Sequence, residues 1–313
     1  AIDFTQLFRD AKKKAKQKSS QTQHQDNQPT TTLPTPVPPI HTAAAPPSSS
    51  SLPEWNPQHS SSLSFEHLTL QKVCSDPPSI YYSPTCLLDS NPLWDWLLSL
   101  PMGDSGMGDW KTMTYGKRQV CMFPPPLPPP LSILAQSLVQ YNIFTADQPP
   151  NHVLLNDYQP SQGILPHTDG PHYAPRTATL SLGSDVVLEF TPRLSPHQIG
   201  LVTTTTTSTS TTTSTTSSTE ITDTIPNQGS KASVSLSNSS ISSLTRSILL
   251  AADSLIVFED QAYQDYCHGI AMNVMEDNTD HHCLNAPAGL SIPRGRRISL
   301  TFRHQPLNHS SSG

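Results

Sequence analysis

Three side chains in separate parts of this sequence have the types and spacing of a metal site. His167 and Asp169 lie two positions apart in "ILPHTDGPHY", and His268 lies far downstream in "YCHGI". Two imidazoles and one carboxylate can hold Fe(II) on one face and leave its other coordination positions open. These residues therefore predict a centre for redox chemistry. A His-x-Asp pair alone often arises by chance, so the prediction depends on the residues that accompany it.

Two arginines near the C-terminal end could hold an acidic co-substrate. In "RISLTFR", apolar and polar residues alternate, and successive strand residues point to opposite faces. Arg297 and Arg303 thus share one face with Ser299, and guanidinium groups bind carboxylates through paired hydrogen bonds. The alternative is a basic edge strand that discourages pairing, which suits Arg294 and Arg296 better.

The same alternation upstream predicts the rest of the cavity. "VLLNDY" places Asn156 and Tyr158 on one face of a strand. If "ILPHTD" ends on a strand, His167 and Asp169 can reach one metal ion together. The order of N-x-Y, H-x-D, a distant histidine and two arginines is much less common by chance than any of these motifs alone.

In their order and their residues, the motifs resemble those of the AlkB family of Fe(II)- and 2-oxoglutarate-dependent dioxygenases. The segment "NHVLLNDYQPSQGILPHTDGPHYAPRTATLSLGSDVVLEF" is similar to the AlkB homologue 6 branch, in which HxDGPxY and a following SLGS strand are typical. The similarity extends over Tyr81–Phe302 and is interrupted by inserts. It implies a mainly β fold with flanking helices, built on a double-stranded β-helix (jelly-roll) core.

The resemblance also implies roles for single residues. The iron ligands are His167, Asp169 and His268, and no further catalytic residue is implied. The residues for the co-substrate 2-oxoglutarate are Asn156, Tyr158, Arg297, Arg303 and Ser299. O2 is the second co-substrate. The implied reaction oxidises a C–H bond, and a methyl group oxidised on nitrogen leaves as formaldehyde.

The substrate is less well defined by the sequence. The segment "TYGKRQ" lies where AlkB relatives carry a nucleotide-recognition lid. In such a lid, Lys117 and Arg118 could contact phosphate while Tyr115 stacks on a base. The alternative is an ordinary turn with solvated charges. His172 is expected at the substrate entrance. "GPHY" follows Asp169, so the second acid of the bacterial AlkB motif is absent.

Two substrate classes and one non-enzymatic alternative stay open. A net charge of −6 gives no overall nucleic-acid footprint, although a local basic patch is compatible with it. The substrate is therefore expected to be a nucleic acid or a protein. The alternative function is a catalytically weak or inactive jelly-roll module that acts through protein partners.

Composition predicts that much of the chain does not fold. Hydrophobic residues make up 34% of the 313 positions, and the 13 glycines raise this to about 38%, below the roughly 45–50% of globular domains. The sequence predicts a short helix over 1–18, a disordered linker over 19–62, an extension with helices and a lid over 63–150, the core over 151–303 and a tail over 304–313. Within the core, 203–243 is a disordered Thr/Ser-rich insert and 272–293 a polar insert.

The remaining expectations concern location and partners. Five cysteines without framework spacing indicate reduced thiols, and hence the cytoplasm and nucleus. Lys12–Lys18 is a nuclear import signal or a solvated helix end. No apolar run is long enough for a membrane helix, so no membrane partner is expected. Pro124–Pro130 is a stiff connector or a ligand for an SH3- or WW-type domain, and the chain is expected to be a monomer.

Overall fold

The computed structural model describes residues 52–65, 68–114, 116–193 and 244–306. The predicted helix over 1–18, the Thr/Ser-rich insert over 203–243, Tyr115 and the end of the tail lie outside the described residues.

Strands dominate the described part of the chain. In chain order they are β1 Gln71–Lys72, β2 Ile80–Ser83, β3 Lys111–Thr112, β4 Gln119–Phe123, β5 His152–Tyr158, β6 Ile164–His167, β7 Arg176–Gly183, β8 Val186–Pro192, β9 Arg246–Leu250, β10 Leu255–Glu259, β11 Tyr266–Ile270, β12 Glu276–Asn278, β13 Ser291–Pro293 and β14 Arg297–Arg303. The helices are a 3₁₀ helix Pro57–Leu63, α1 Asn91–Leu98, α2 Pro129–Gln140 and α3 Asp260–Gln264. Within the described ranges, no helix has both the length and the apolar character needed to cross a bilayer.

Two antiparallel sheets form the jelly-roll core. The larger sheet has the order β1-β2-β10-β7-β14-β5-β4-β3, and the smaller has the order β6-β11-β8-β9. β12 and β13 form a separate hairpin. The predicted fold class, mainly β with flanking helices, is confirmed.

The 3₁₀ helix, α1 and α2 cover one face of the larger sheet. Ile298, Leu300 and Phe302 alternate along β14, are fully buried, and belong to one core with Leu134 and Leu138 of α2. Burying each such side chain contributes about 1.5–3 kcal/mol. The other face of β14 is thereby left to its polar residues, as the alternation predicted.

A second core lies between the two sheets. Phe190 of β8 and Ile248 of β9 pack there with Ile256 and Phe258 of β10. Apolar packing fills this space at one end, and a cavity of about 300 Å³ opens beside it. Both sheets therefore contribute side chains to the cavity.

The prediction of disorder through residue 62 was wrong at its C-terminal end. The 3₁₀ helix Pro57–Leu63 lies there, capped by Asn56, whose side chain accepts a hydrogen bond from the Gln58 amide. Trp55 and Leu63 are buried in the helix-side core. A few well-placed apolar residues anchor this stretch although its overall composition is polar.

The polyproline run connects β4 to α2 and ends inside the first turn of that helix. Pro129 and Pro130 form the first turn of α2, where proline is tolerated because its missing N–H would be unpaired anyway. Pro128 and Pro130 are buried. The SH3- or WW-type partner predicted for Pro124–Pro130 is therefore not supported.

The basic-edge interpretation of the last strand was also wrong. β14 pairs with both β5 and β7, so it is an interior strand. Arg294 is buried and forms an ion pair with Asp277 of the β12–β13 hairpin, and Arg296 pairs with Asp157 of β5. These two arginines tie elements together and do not repel a neighbouring strand.

Candidate metal centre and co-substrate cavity

Strand pairing brings the three candidate metal ligands together. His268 in β11 is directly opposite His167 at the end of β6, and their ring centroids are 4.4 Å apart. Asp169 follows two residues later. The ligand atoms of the three side chains all lie within 4.8 Å of one another. The two-residue spacing predicted from the sequence is thus realised at the end of a strand.

Both imidazoles can present a lone pair to a metal ion. His167 Nδ1 lies 2.9 Å from the carbonyl oxygen of Leu165. Because a carbonyl only accepts, Nδ1 carries the proton and Nε2 is free to coordinate. Burial against Phe258 and Phe190 lowers the pKa of His268 to about 4, so its imidazole is neutral near pH 7.

Neighbouring groups keep the Asp169 carboxylate ionised. Its side chain is only 1% exposed, and burial raises its pKa, but the Arg303 guanidinium and the hydrogen bond from Thr177 lower the pKa below the ordinary value. Arg303 donates from Nε to Oδ2 at 3.0 Å and from Nη2 to Oδ1 at 2.5 Å. Thr177 Oγ1 donates to Oδ2 at 2.8 Å. The carboxylate is therefore charged and fixed in orientation.

Arg297 carries the clearest sign of a missing partner. Its residue is 4% exposed, and Nη2 donates to Ser181 Oγ at 2.9 Å, but Nε and Nη1 have no hydrogen-bond partner among the described residues. Burial lowers its pKa to about 10, and the guanidinium lies 5.5 Å from the Tyr158 ring. A buried unpaired cation is costly. The carboxylate of 2-oxoglutarate fits this position.

Arg303 lies in the same cavity as Arg297 but has a different partner. Its guanidinium pairs with Asp169 and lies 5.0 Å from the ring of Tyr173, whose hydroxyl is 3.3 Å from His152 Nδ1. Tyr173 and Thr177 were not predicted from the sequence as site residues. Their signals were present, since Tyr173 belongs to the HxDGPxY motif and Thr177 follows on the next strand.

The other residues expected to hold the co-substrate also line the cavity. Ser299 is opposite Asn156 in the pairing of β14 with β5, and Tyr158 is opposite Arg297. All four side chains line the cavity. The structure therefore brings the predicted co-substrate residues together on one sheet face, as the alternation implied.

The predicted substrate residues separate into two groups. Arg118 is half-buried, lines the cavity and donates from Nε to Asn156 Oδ1 at 3.0 Å. Lys117 and His172 are exposed and do not line it. Lys117 lies in the turn between β3 and β4, with a positive φ of 56°.

A second group of possible metal ligands has a simpler explanation. Asp280, His281 and His282 lie in an exposed turn, where Asp280 Oδ1 accepts a hydrogen bond from the His282 amide. This is the usual role of aspartate at the start of a turn. Arg246 Nη1 lies 3.5 Å from His282 Nδ1, which opposes a cation there.

One protein family and one known relative match this chain in sequence. Residues 102–303 match the family described as the 2OG-Fe(II) oxygenase superfamily. The chain is 30% identical over 195 residues to a Danio rerio protein named "Probable RNA/DNA demethylase ALKBH6", a match that covers 58% of this chain and 68% of the relative.

Similarity to solved structures is more distant. The structure of OsALKBH1 aligns with a TM-score of 0.42 at 14% identity, over 75% of this chain and all of its own. A Pseudomonas putida prolyl-4-hydroxylase aligns with a TM-score of 0.30 at 12% identity, over 61% of this chain and 70% of its own.

The family match covers more than half of the chain and includes the whole cavity. Two imidazoles with one carboxylate suit Fe(II), and the unpaired N–H groups of Arg297 suit a carboxylate co-substrate. The chain belongs to the 2OG-Fe(II) oxygenase superfamily, as an AlkB-type enzyme that uses Fe(II), 2-oxoglutarate and O2.

Proposed function

We propose that this enzyme oxidatively removes methyl groups from nitrogen atoms of a nucleic acid. With Fe(II) and 2-oxoglutarate bound, the centre supplies the oxidation of a C–H bond: O2, 2-oxoglutarate and the N-methyl group give succinate, CO2, formaldehyde and the free N–H. The name of the Danio rerio relative, an RNA/DNA demethylase, supports this substrate class.

Six residues of the cavity have a defined role in the proposal. His167, Asp169 and His268 hold Fe(II), and Arg303 with Thr177 keeps the Asp169 carboxylate ionised and oriented. Arg297 binds the carboxylate of 2-oxoglutarate that lies away from the metal. The observation that carries this assignment is the pair of buried, unpaired Arg297 nitrogens in the same cavity as the three ligands.

A nucleic acid is favoured over a protein by the charges near the cavity. Three guanidinium groups, those of Arg118, Arg297 and Arg303, line it together with one carboxylate, that of Asp169. Lys117 is exposed on the turn beside Arg118. Because Arg303 pairs with Asp169 and Arg297 is assigned to 2-oxoglutarate, the charges of Arg118 and Lys117 remain to attract phosphate, even though the whole chain carries −6.

Mass spectrometry tests the proposal directly. The full chain is incubated with Fe(II), 2-oxoglutarate, ascorbate and air, with methylated DNA, RNA or peptides. Loss of methyl groups from nucleosides, with formaldehyde and succinate formed in equal amounts, is the expected result. Demethylation of peptides alone would overturn the nucleic-acid assignment. Absence of iron-dependent succinate formation with every substrate would favour the binding-module alternative.

We further propose that the chain acts as a monomer in the cytoplasm and nucleus. The five cysteines are free thiols, which suits reducing compartments. Light scattering of the purified chain and fractionation of cells test the two statements. A dimer in solution or exclusion from both compartments would contradict them.

A further inference from the structure

Arg118 is held in the cavity by several contacts from its surroundings. Its carbonyl accepts a hydrogen bond from the Met113 amide, which closes the turn between β3 and β4. The carbonyl of Lys117 accepts one from Gln162 Nε2 at 2.9 Å. The Nε of Arg118 donates to Asn156 Oδ1 at 3.0 Å. The guanidinium is thus oriented before any substrate arrives.

The far edge of this guanidinium is free to recognise a ligand. Nη1 and Nη2 of Arg118 make no hydrogen bond to another described residue, and the side chain is half-buried at the cavity. A guanidinium only donates, so these atoms can bind acceptors such as a carbonyl oxygen. They cannot bind an amino group.

The positive charge of the cavity also disfavours a cationic ligand. Arg118, Arg297 and Arg303 outnumber Asp169 by three charges to one. Fe(II) and 2-oxoglutarate together add no net charge, so the cavity stays positive when both are bound. No acid lies in the four positions after Asp169, where the sequence is "GPHY". A cationic base would meet repulsion here.

From these observations we infer that the enzyme selects neutral N-methylated bases whose methylated nitrogen is flanked by a carbonyl, and that Arg118 binds this carbonyl. N1-methylguanine and N3-methylthymine have this form. N1-methyladenine is cationic and has no carbonyl, and N3-methylcytosine is cationic. The inference rests on the proposed function, because it names the kind of base within that substrate class.

Binding of single-stranded oligonucleotides tests the inference without turnover. Each of four probes carries one central methylated base: N1-methylguanine, N3-methylthymine, N1-methyladenine or N3-methylcytosine. The unmethylated form of each probe is the control. Affinities are measured by fluorescence anisotropy without O2, with Mn(II) and 2-oxoglutarate present. The wild-type chain should bind the neutral methylated probes about 10-fold or more tightly than the cationic ones, the size of a well-placed guanidinium contact to a base.

Variants of two neighbouring residues identify the group responsible. Arg118→Met should abolish the preference for neutral bases, and Arg118→Glu should reverse it toward the cationic probes. Lys117→Met, the matched control, should weaken all probes equally and lower the salt dependence of binding, because Lys117 is exposed and can contact only phosphate. Thermal unfolding of each variant checks that the fold is intact.

The outcomes separate this inference from the proposed function. If the wild-type chain binds methylated probes no better than unmethylated ones, both fail. If it prefers the cationic probes, or if Arg118→Met keeps the preference for neutral ones, the inference fails and the nucleic-acid assignment stands. If Arg118→Met weakens all probes equally and reduces their salt dependence, Arg118 contacts phosphate and the inference is wrong.

Discussion

Asp169 must remain ionised in a buried cavity and still offer an oxygen to a metal ion. Its partner Arg303 is 8% exposed, and the aspartate side chain is 1% exposed. Removing one partner of such a pair leaves the other as an unpaired buried charge, which costs about 3–5 kcal/mol. The ion pair therefore connects metal binding to stability at the level of a single side chain.

Asp169→Ala is expected to abolish turnover of 2-oxoglutarate and to lower the free energy of unfolding by about 3–5 kcal/mol. His167→Ala should abolish turnover with a smaller loss of stability, because His167 is half-buried and forms no ion pair with any described residue. Denaturant unfolding and CO2 release measure the two effects.

The double variant Asp169→Ala/Arg303→Met serves as the control. It should recover stability relative to Asp169→Ala while remaining inactive, because the unpaired guanidinium is gone. If Asp169→Ala is as stable as the wild-type chain, the ion pair does not stabilise the fold in the way described.

Arg297→Met is expected to raise the KM for 2-oxoglutarate by about 100-fold or more without destabilising the protein in its absence. The charge removed is buried with two unpaired nitrogens, so its loss also removes a cost. The rise in melting temperature on adding 2-oxoglutarate should disappear, a stabilisation of about 2.7 kcal/mol at 100 times the Kd. Arg297→Lys should restore little, since an ammonium lacks the paired donors.

The neighbouring variant Arg296→Met should show the opposite pattern. Arg296 pairs with Asp157, whose side chain is 1% exposed. Its loss should therefore destabilise the protein and leave the KM for 2-oxoglutarate unchanged. An unaltered KM in Arg297→Met would mean that another group binds the co-substrate carboxylate.

For single residues, the sequence predicted which strand face a side chain occupies better than it predicted which group that side chain pairs with. Alternation in "RISLTFR" placed Arg297 and Arg303 on the same face, which the structure confirms. It could not reveal that Arg303 is paired with Asp169 while Arg297 has two unpaired nitrogens. Such pairing depends on residues from distant strands, which a local pattern does not contain.

Among the elements, the pairing of β6 with β11 determines the spacing of the two histidines. Gly163 immediately precedes β6, and a Cβ at this position would lie 2.3 Å from the Ile270 carbonyl oxygen and 2.4 Å from that of Ala271. Both contacts are with backbone atoms, which cannot move aside without separating the strands.

Gly163→Ala is therefore expected to weaken binding of Fe(II), and of Mn(II) as a stable substitute, as well as lowering the melting temperature. Gly295→Ala is the matched control, because its Cβ would meet only the Ser184 side chain, 3.3 Å away. Isothermal titration with Mn(II) compares the two. Equal affinities would show that the register of β6 and β11 does not control the metal site.

The sequence predicted elements well where their signals are local. The alternating segments "VLLNDY" and "RISLTFR" are strands, within His152–Tyr158 and over Arg297–Arg303. The interpretation of Pro124–Pro130 as a stiff connector agrees with its position between β4 and α2, but composition alone does not show that the run ends inside the first turn of a helix. Strand order across the sheet was not predictable without the resemblance.

Over the whole molecule, residues 203–243 should be dispensable. β8 and β9 pair as far as Phe190 and Arg246, so the chain leaves and re-enters the sheet at neighbouring positions. After deletion, residues 193–202 and 244–245 remain to connect the two strands. Loop length changes the closure entropy slowly, by about 0.6 kcal/mol per doubling.

The deleted chain is thus expected to retain the turnover of 2-oxoglutarate and a similar or slightly higher melting temperature. CO2 release and thermal unfolding check this. A folded but inactive deletion variant would place part of the insert in the active site. Composition missed the ordered segment around Trp55, where a single large buried side chain outweighs a polar neighbourhood.

The Arg303–Asp169 ion pair also links the supply of iron to that of 2-oxoglutarate. The negative charge of Asp169 is balanced by Arg303, so the three ligands offer an incoming Fe(II) ion no net negative charge, and Arg297 adds a positive charge nearby. The two negative charges of 2-oxoglutarate offset this cost. By thermodynamic reciprocity, each ligand then raises the affinity for the other by the same factor. Iron occupancy of the enzyme would accordingly follow the cellular concentration of 2-oxoglutarate.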